Sequence, residues 1–239
     1  MTELLFYQKP VPLNANNHGS WRISRDGLHF GFAADINSVL LAGIEFIEAC
    51  KEYPIVFAKS GDSLVPVALL GLRGTKNLFV SEQGGWLGRY VPAFIRRYPF
   101  VLADAPDQEQ KVVCIDEAFV GLNQPDGEDL FEDGKARPVL DKAIEFLMEY
   151  QQQYLRTETL VKRLQANQLL TKINARVTAK DGQEPALDGL LVVDEKKLLE
   201  LDDEKALTLF RSGELAWIYA HLISIANIGT LAQRMNQQE

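Results

Sequence analysis

Along this 239-residue chain the spacing of apolar positions changes character, and the changes predict its elements. The opening, "ELLFYQKPVPLNANNHGSWRIS", reads as an extended segment, a polar turn and a short strand. Pro10 and Pro12 exclude a helix, and "NANNHGS" is dense in turn formers. Between Asp35 and Lys51, apolar residues at Val39, Leu40, Ile44, Phe46 and Ile47 predict a helix over roughly the second half, ending before "YPIVF". Residues 54 to 115 read as a β meander of short apolar runs: "PIVFA", "SLVPVALLGL", "NLFV", "YPFVLA" and "KVVCI". "SGDS" and "RGTKN" are the expected hairpin turns.

The second half is helical in period. Leu140, Ile144, Leu147 and Met148 predict one helix, and Leu160, Val161 and Leu164 a second, with a break near "RTET" where Thr157 or Thr159 would serve as N-cap. "KINARVTA" and "GLLVVD" alternate like strands on either side of the turn "AKDGQEPALDG". "DDEKALTLFRSG" has carboxylates at its start and Gly213 at its end, so it predicts a capped helix. An apolar helix over Leu215 to Leu231 closes the pattern. The whole predicts an α+β fold, a mostly antiparallel curved sheet from the N-terminal half packed by helices from the C-terminal half. A single domain over residues 1–239 is expected, the alternative being a helical subdomain from about residue 136.

Charge narrows the function classes. The formal net charge of -8 argues against nucleic acid or an anionic membrane surface as partner, because both need clustered Lys and Arg. The charge is also segregated. Residues 101–135 carry ten carboxylates against two lysines, whereas residues 58–100 carry six basic residues against Asp62 and Glu82. Oppositely charged parts of one fold touching each other is the first reading, and a ligand-steering field the second. Leu215 to Leu231 is marginal in length for a membrane span and contains His221, Ser224 and Asn227, so a buried core helix fits better and no integral span is expected. Cys50 and Cys114 have neither CxxC spacing nor a disulfide framework. With no secretory signal visible in "MTELLFYQKPVPLN", a cytoplasmic protein with reduced thiols is expected.

Recognisable catalytic patterns are missing from the text of the chain. His18, His29 and His221 sit in no GxSxG, papain-like, HxD, HxE or HExxH context. "DGEDLFEDG" fails the register of a calcium loop, and "GLRGTKN" lacks P-loop spacing. No catalytic residue, metal site or cofactor is therefore assigned. His221, Ser224 and Asn227 form a polar stripe on an apolar helix. A structural hydrogen-bond network is the first reading of that stripe, and a pocket lining the alternative.

The densest local text is "GGWLGRYVPAFIRRYPF", residues 84–100. Gly84, Gly85 and Gly88 allow tight turning, Trp86, Tyr90 and Phe94 can anchor the turn, and Pro92 to Arg97 reads as one helical turn. Arg96 and Arg97 point about 100° apart on such a turn. One is expected to pair with a carboxylate of the acidic connector, leaving the other available at the surface or to a ligand. The segment reads first as a structural corner and second as a ligand grip. Trp86, Arg89, Tyr90, Arg96, Arg97 and His221 are the candidate ligand-binding residues.

Several blocks, in order, carry a resemblance: "HGSWRIS", "IEFIEACKEYPIVFAK", "VALLGLRGTKNLFVSEQGGWLGRYVPAFIRRYPFVL", "LFEDGKARPVL" and "GELAWIYAHLISIANI". Together they resemble the SapC family, proteins named after a bacterial surface-layer locus and distinct from the peptide-transporter permease that shares the label. The segment from Tyr53 to Leu102 is the specific part. The resemblance implies no reaction and transfers no catalytic residue. It implies association with surface-layer, uptake or modification systems. A non-catalytic binding or accessory role follows as the expectation, with a protein partner or a small-molecule ligand. The alternative is a metal-dependent enzyme using His18, His29 or His221 with acids from residues 104–133.

Overall fold

A computed structural model describes residues 5–24, 29–104, 111–173, 187 and 189–238. The fold is α+β with antiparallel strands, as the sequence predicts, and the strands gather into separate open sheets. The chain forms two compact units that interleave in sequence. One comprises residues 1–29 and 95–151, the other residues 30–94 and 152–239.

In the first unit a three-stranded sheet has the order Pro10–Pro12, Lys111–Asp116, Phe100–Asp104. Val11 stands opposite Ile115, and Phe100 faces the same residue from the other side. The turn-forming "NANNHGS" makes a single helical turn, Ala15–His18, because the Asn14 side chain accepts the Asn17 amide at 3.0 Å as an N-cap. Asp116, fully buried, organises the start of the chain: its carboxylate accepts the amides of Gln8 at 2.9 Å and Lys9 at 2.8 Å, the Ala118 amide at 3.1 Å and the Tyr98 hydroxyl at 3.3 Å.

The second unit holds a five-stranded antiparallel sheet ordered Leu170–Lys172, Leu191–Val193, Ile55–Ser60, Ser63–Leu69, Ser38–Leu40. Strands from both halves of the sequence therefore enter one sheet. The tight turn at Gly61, where φ is +57°, joins the central hairpin, and Val56 pairs with Val67 across it. The meander expected over residues 54–115 is divided: its first two strands lie here and its last two in the first unit. "NLFV" forms no strand; only Val80 makes a bridge, to Trp86.

Helix Pro138–Ala166 is one uninterrupted element of 29 residues, without the break expected at "RTET". The threonines that looked like caps are satisfied inside the helix, Thr157 donating to the Gln153 carbonyl at 2.7 Å and Thr159 to that of Leu155 at 3.1 Å. Thr157 also accepts the Gly43 amide at 2.7 Å, which explains a hydroxyl at a fully buried position. Gly43 admits no side chain there: a Cβ would come within 2.3 Å of the Trp217 ring. Asp202 caps helix Asp203–Arg211 through the Lys205 amide at 2.9 Å, and Gly213, at φ +78°, ends it. The final apolar helix is two, Glu214–Ser224 and Asn227–Gln238. Among the described residues no single helix is long and apolar enough to cross a membrane, and this pair is bent by 43°. Of the strand expected over "KINARVTA", Lys172 ends strand Leu170–Lys172, and residues 174–179, with most of the "AKDGQEPALDG" turn, lie outside the described residues.

Candidate functional site

The corner at residues 79–93 is built from backbone pairing that glycine makes feasible. The Ser81 amide reaches the Gly85 carbonyl and the Gly84 amide that of Ser81, both at 2.8 Å, with Gly84 at φ +78°. The Leu87 amide then returns to the Phe79 carbonyl at 2.8 Å. Trp86 packs in parallel with Phe79, 6.1 Å between centroids, and its indole N–H donates to the Tyr90 carbonyl at 3.1 Å. The Tyr53 hydroxyl donates to that carbonyl too. Burial pushes the Tyr53 phenol above its ordinary range, so it remains a donor at every physiological pH.

Two glutamates from the preceding helical turns fasten this corner. Both carboxylate oxygens of Glu52 accept the Arg89 backbone amide, at 2.7 and 2.8 Å. Gly88 makes that approach feasible, since a Cβ there would sit 2.6 Å from the Glu52 carboxylate and from the Tyr53 hydroxyl. Glu45 is buried. Its Oε2 accepts the Ala42 amide at 2.9 Å, while Oε1 accepts the Tyr90 hydroxyl and the Ala93 amide, each at 2.7 Å.

The fastened corner forms one wall of a cleft of about 660 Å³. Arg89, Tyr90 and Leu87 come from the corner, Glu48, Lys51 and Glu52 from the turns before the central hairpin, and Asn227, Thr230, Leu231 and Arg234 from the last helix; Phe79 completes the lining. The groups differ in how far they are committed. The Arg234 guanidinium lies over the Phe79 ring, 4.2 Å from its centroid, and its Nη1 donates to the Leu78 carbonyl at 3.4 Å. Lys51 pairs with Glu48 at 2.7 Å, both side chains more than half exposed. Such an i,i+3 surface pair contributes roughly 0–1 kcal/mol and opens readily. The Asn227 amide nitrogen donates to the Cys50 carbonyl at 2.7 Å. Arg89 is exposed, and among the described residues its guanidinium makes no hydrogen bond or ion pair.

The six candidates from the sequence thus fall in three places. Arg89 and Tyr90 line the cleft, and Trp86 lies behind it as a brace. Arg96 and Arg97 belong to the first unit and do not line the cleft. There Arg97 is buried, its guanidinium 5.9 Å from the Tyr7 ring centroid and 5.6 Å from that of Tyr150, while Arg96 is exposed, over Phe146 at 5.1 Å. His221 is fully buried in the second unit. Its Nε2 accepts the Val193 amide at 3.0 Å and its Nδ1–H donates to the Ile55 carbonyl at 2.9 Å, which joins two strands of the sheet to helix Glu214–Ser224. Ser224 extends the same seam by accepting the Ile55 amide at 2.9 Å.

Burial lowers the His221 pKa to about 4, the hydrogen bond to Ile55 opposing this, so the folded ring is neutral at pH 7. The unfolded chain takes up a proton near pH 6.5 and the folded chain only near 4. Stability is therefore lost as pH falls through that window, by about 3 kcal/mol for this one group. His221→Gln should be less stable than the parent at pH 7, and the gap should shrink by about 3 kcal/mol at pH 4. Urea unfolding at the two pH values measures it, and a gap unchanged by pH would contradict the neutral seam.

Lys51, Glu48, Glu52, Thr230 and Arg234 were not singled out by sequence reasoning, whereas Asn227 belonged to the polar stripe whose alternative reading was a pocket lining. The available signal was the spacing of Asn227, Thr230 and Arg234, at i, i+3 and i+7 on one helix face.

Fold and site together define an α+β protein with a cleft whose lining carries both cationic and acidic side chains. The SapC family model matches residues 13–231, and the chain belongs to the SapC family. No curated protein and no solved structure matches it.

Proposed function

We propose that this chain is a non-catalytic binding or accessory protein that takes a carboxylate-bearing small ligand in the Arg89–Arg234 cleft. It acts in the bacterial cytoplasm beside a surface-layer, uptake or modification system. The observation that carries the ligand reading is Arg89: an uncommitted guanidinium in the wall of a cleft of about 660 Å³. That volume lies within the range of about 300–1,000 Å³ typical of small-molecule sites. A planar guanidinium presents paired donors that match a carboxylate, and Arg234, held over Phe79, adds a second. Membership of the SapC family supports the association with such systems, and the free thiols Cys50 and Cys114 are consistent with a reducing compartment.

A monocarboxylate with an apolar body, isocaproate, is the simplest probe, since Leu87 and Leu231 offer apolar contact beside the arginines. Titration followed by ligand-observed NMR should show isocaproate binding and isocaproamide not. Arg89→Ala and Arg234→Ala should each weaken binding about tenfold or more, the scale of one charge-assisted hydrogen bond. Arg89→Ala should melt with the parent, because its guanidinium makes no bond among the described residues. Equal binding of acid and amide, or an Arg89→Ala variant that binds as the parent does, would overturn the reading.

The metal-dependent alternative finds no specific support. Among the described residues no group of three or more His, Cys, Asp or Glu could hold a metal ion. The His18 ring lies on its own helical turn, Nδ1 at 3.1 Å from both the amide and the carbonyl of Asn14, and both ring nitrogens of His221 meet backbone groups.

A further inference from the structure

Resting on that reading, we infer that the ligand is a zwitterion, a short peptide whose carboxylate meets Arg89 and Arg234 and whose free amine meets the carboxylates of Glu48 and Glu52. The cleft is not uniformly cationic. Lys51, Arg89 and Arg234 share its lining with Glu48 and Glu52. A second carboxylate on the ligand would share the cleft with these glutamates, whereas an ammonium group would be matched by them. Glu52 is held in place by the Arg89 amide on both oxygens, and each oxygen keeps a lone pair for a further donor. Among the described residues the Glu48 carboxylate is bound only to Lys51, in an exposed pair that an incoming ammonium group can exchange with at little cost. The same main-chain contact that holds Glu52 also places residue 89, so an acidic and a basic side chain of the lining are tied by one contact.

Size and polarity separate a peptide from a free amino acid. The cleft is much larger than one amino acid needs, since volumes of about 300–1,000 Å³ accommodate drug-sized molecules. Leu87, nearly half exposed in the cleft wall, gives a ligand side chain an apolar neighbour. Asn227 keeps its Oδ1 as an acceptor, its amide nitrogen being engaged with Cys50, and Thr230 adds a hydroxyl on the same helix face. Both suit the amide groups of a peptide backbone.

The test uses the full chain and the probe alanyl-leucine, compared by calorimetry or ligand-observed NMR with leucine, N-acetyl-alanyl-leucine and alanyl-leucine amide. Alanyl-leucine should bind about tenfold or more tightly than either blocked form, the scale of one charge-assisted contact. It should also bind more tightly than free leucine. Arg89→Ala should reduce discrimination against the C-terminal amide, and Glu48→Gln should reduce discrimination against the acetylated amine while leaving that against the amide. Equal binding of the acetylated and free dipeptide would overturn the zwitterion while leaving the carboxylate reading intact, and leucine binding as tightly as the dipeptide would overturn the peptide assignment. If isocaproate binds in an Arg89-dependent way but no amine-bearing probe does, the inference falls and the proposed function stands. If no carboxylate probe binds, both fall.

Discussion

Replacing Glu45 with Ala should destabilise the protein by about 4 kcal/mol and abolish ligand binding together. The carboxylate is buried and accepts the Ala42 amide, the Ala93 amide and the Tyr90 hydroxyl. Removing it leaves two buried amides without an acceptor, at about 1–3 kcal/mol each and less than additively, and takes the Glu45 acceptor from the part-buried Tyr90 hydroxyl at the cleft wall. In a chain of this size the loss corresponds to roughly 10 °C in Tm. The second effect follows from where two of the donors lie. Tyr90 lines the cleft and Ala93 ends the same corner, so Glu45 is what holds the Arg89 wall in position. Glu45→Gln keeps one acceptor oxygen and should recover about half of the stability. Calorimetric melting of the two variants checks the order. An alanine variant that melts within a degree or two of the parent would show that the corner does not depend on this carboxylate.

Asp116→Ala should have an effect of similar size in the first unit. Four donors converge on this fully buried carboxylate, the amides of Gln8, Lys9 and Ala118 and the Tyr98 hydroxyl. Breaking so buried a charge-assisted set costs about 3–5 kcal/mol. Two of the amides immediately precede strand Pro10–Pro12, whose prolines can donate nothing to its pairing with Lys111–Asp116. The strand therefore depends on its flanks. Hydrogen exchange should show the Gln8 and Lys9 amides losing protection in the variant well before the Val113 to Ile115 amides do. Unchanged protection at Gln8 and Lys9 would contradict the role given to Asp116.

The α+β class and most elements were legible because they rest on local signals. Asp202 and Gly213 bracket their helix in the text as in the structure. "RTET" misled because a threonine hydroxyl satisfied by the carbonyl four residues back looks, in sequence, the same as a cap. "NLFV" has strand composition, yet Phe79 is spent on packing against Tyr53, Trp86 and Arg234. At the site, the corner was legible through its density of glycine, aromatic and arginine. The opposite wall was not. Arg234 lies in an ordinary amphipathic helix far along the chain, and only tertiary packing brings it to Phe79. The two adjacent arginines drew attention by their spacing, but alternation on a helical turn says nothing about which unit they pack in.

The central claim is that Arg89 and Arg234, from two walls of one cleft, recognise one anion. The most direct measurement is ¹⁵N-edited NMR of the arginine Nε–H signals, assigned by single Arg→Lys variants, during titration with alanyl-leucine. The Arg89 and Arg234 signals should move together along one saturable curve while those of Arg96 and Arg97 stay in place. Saturable movement confined to Arg96 and Arg97, or the absence of any shift at Arg89 and Arg234, would contradict it.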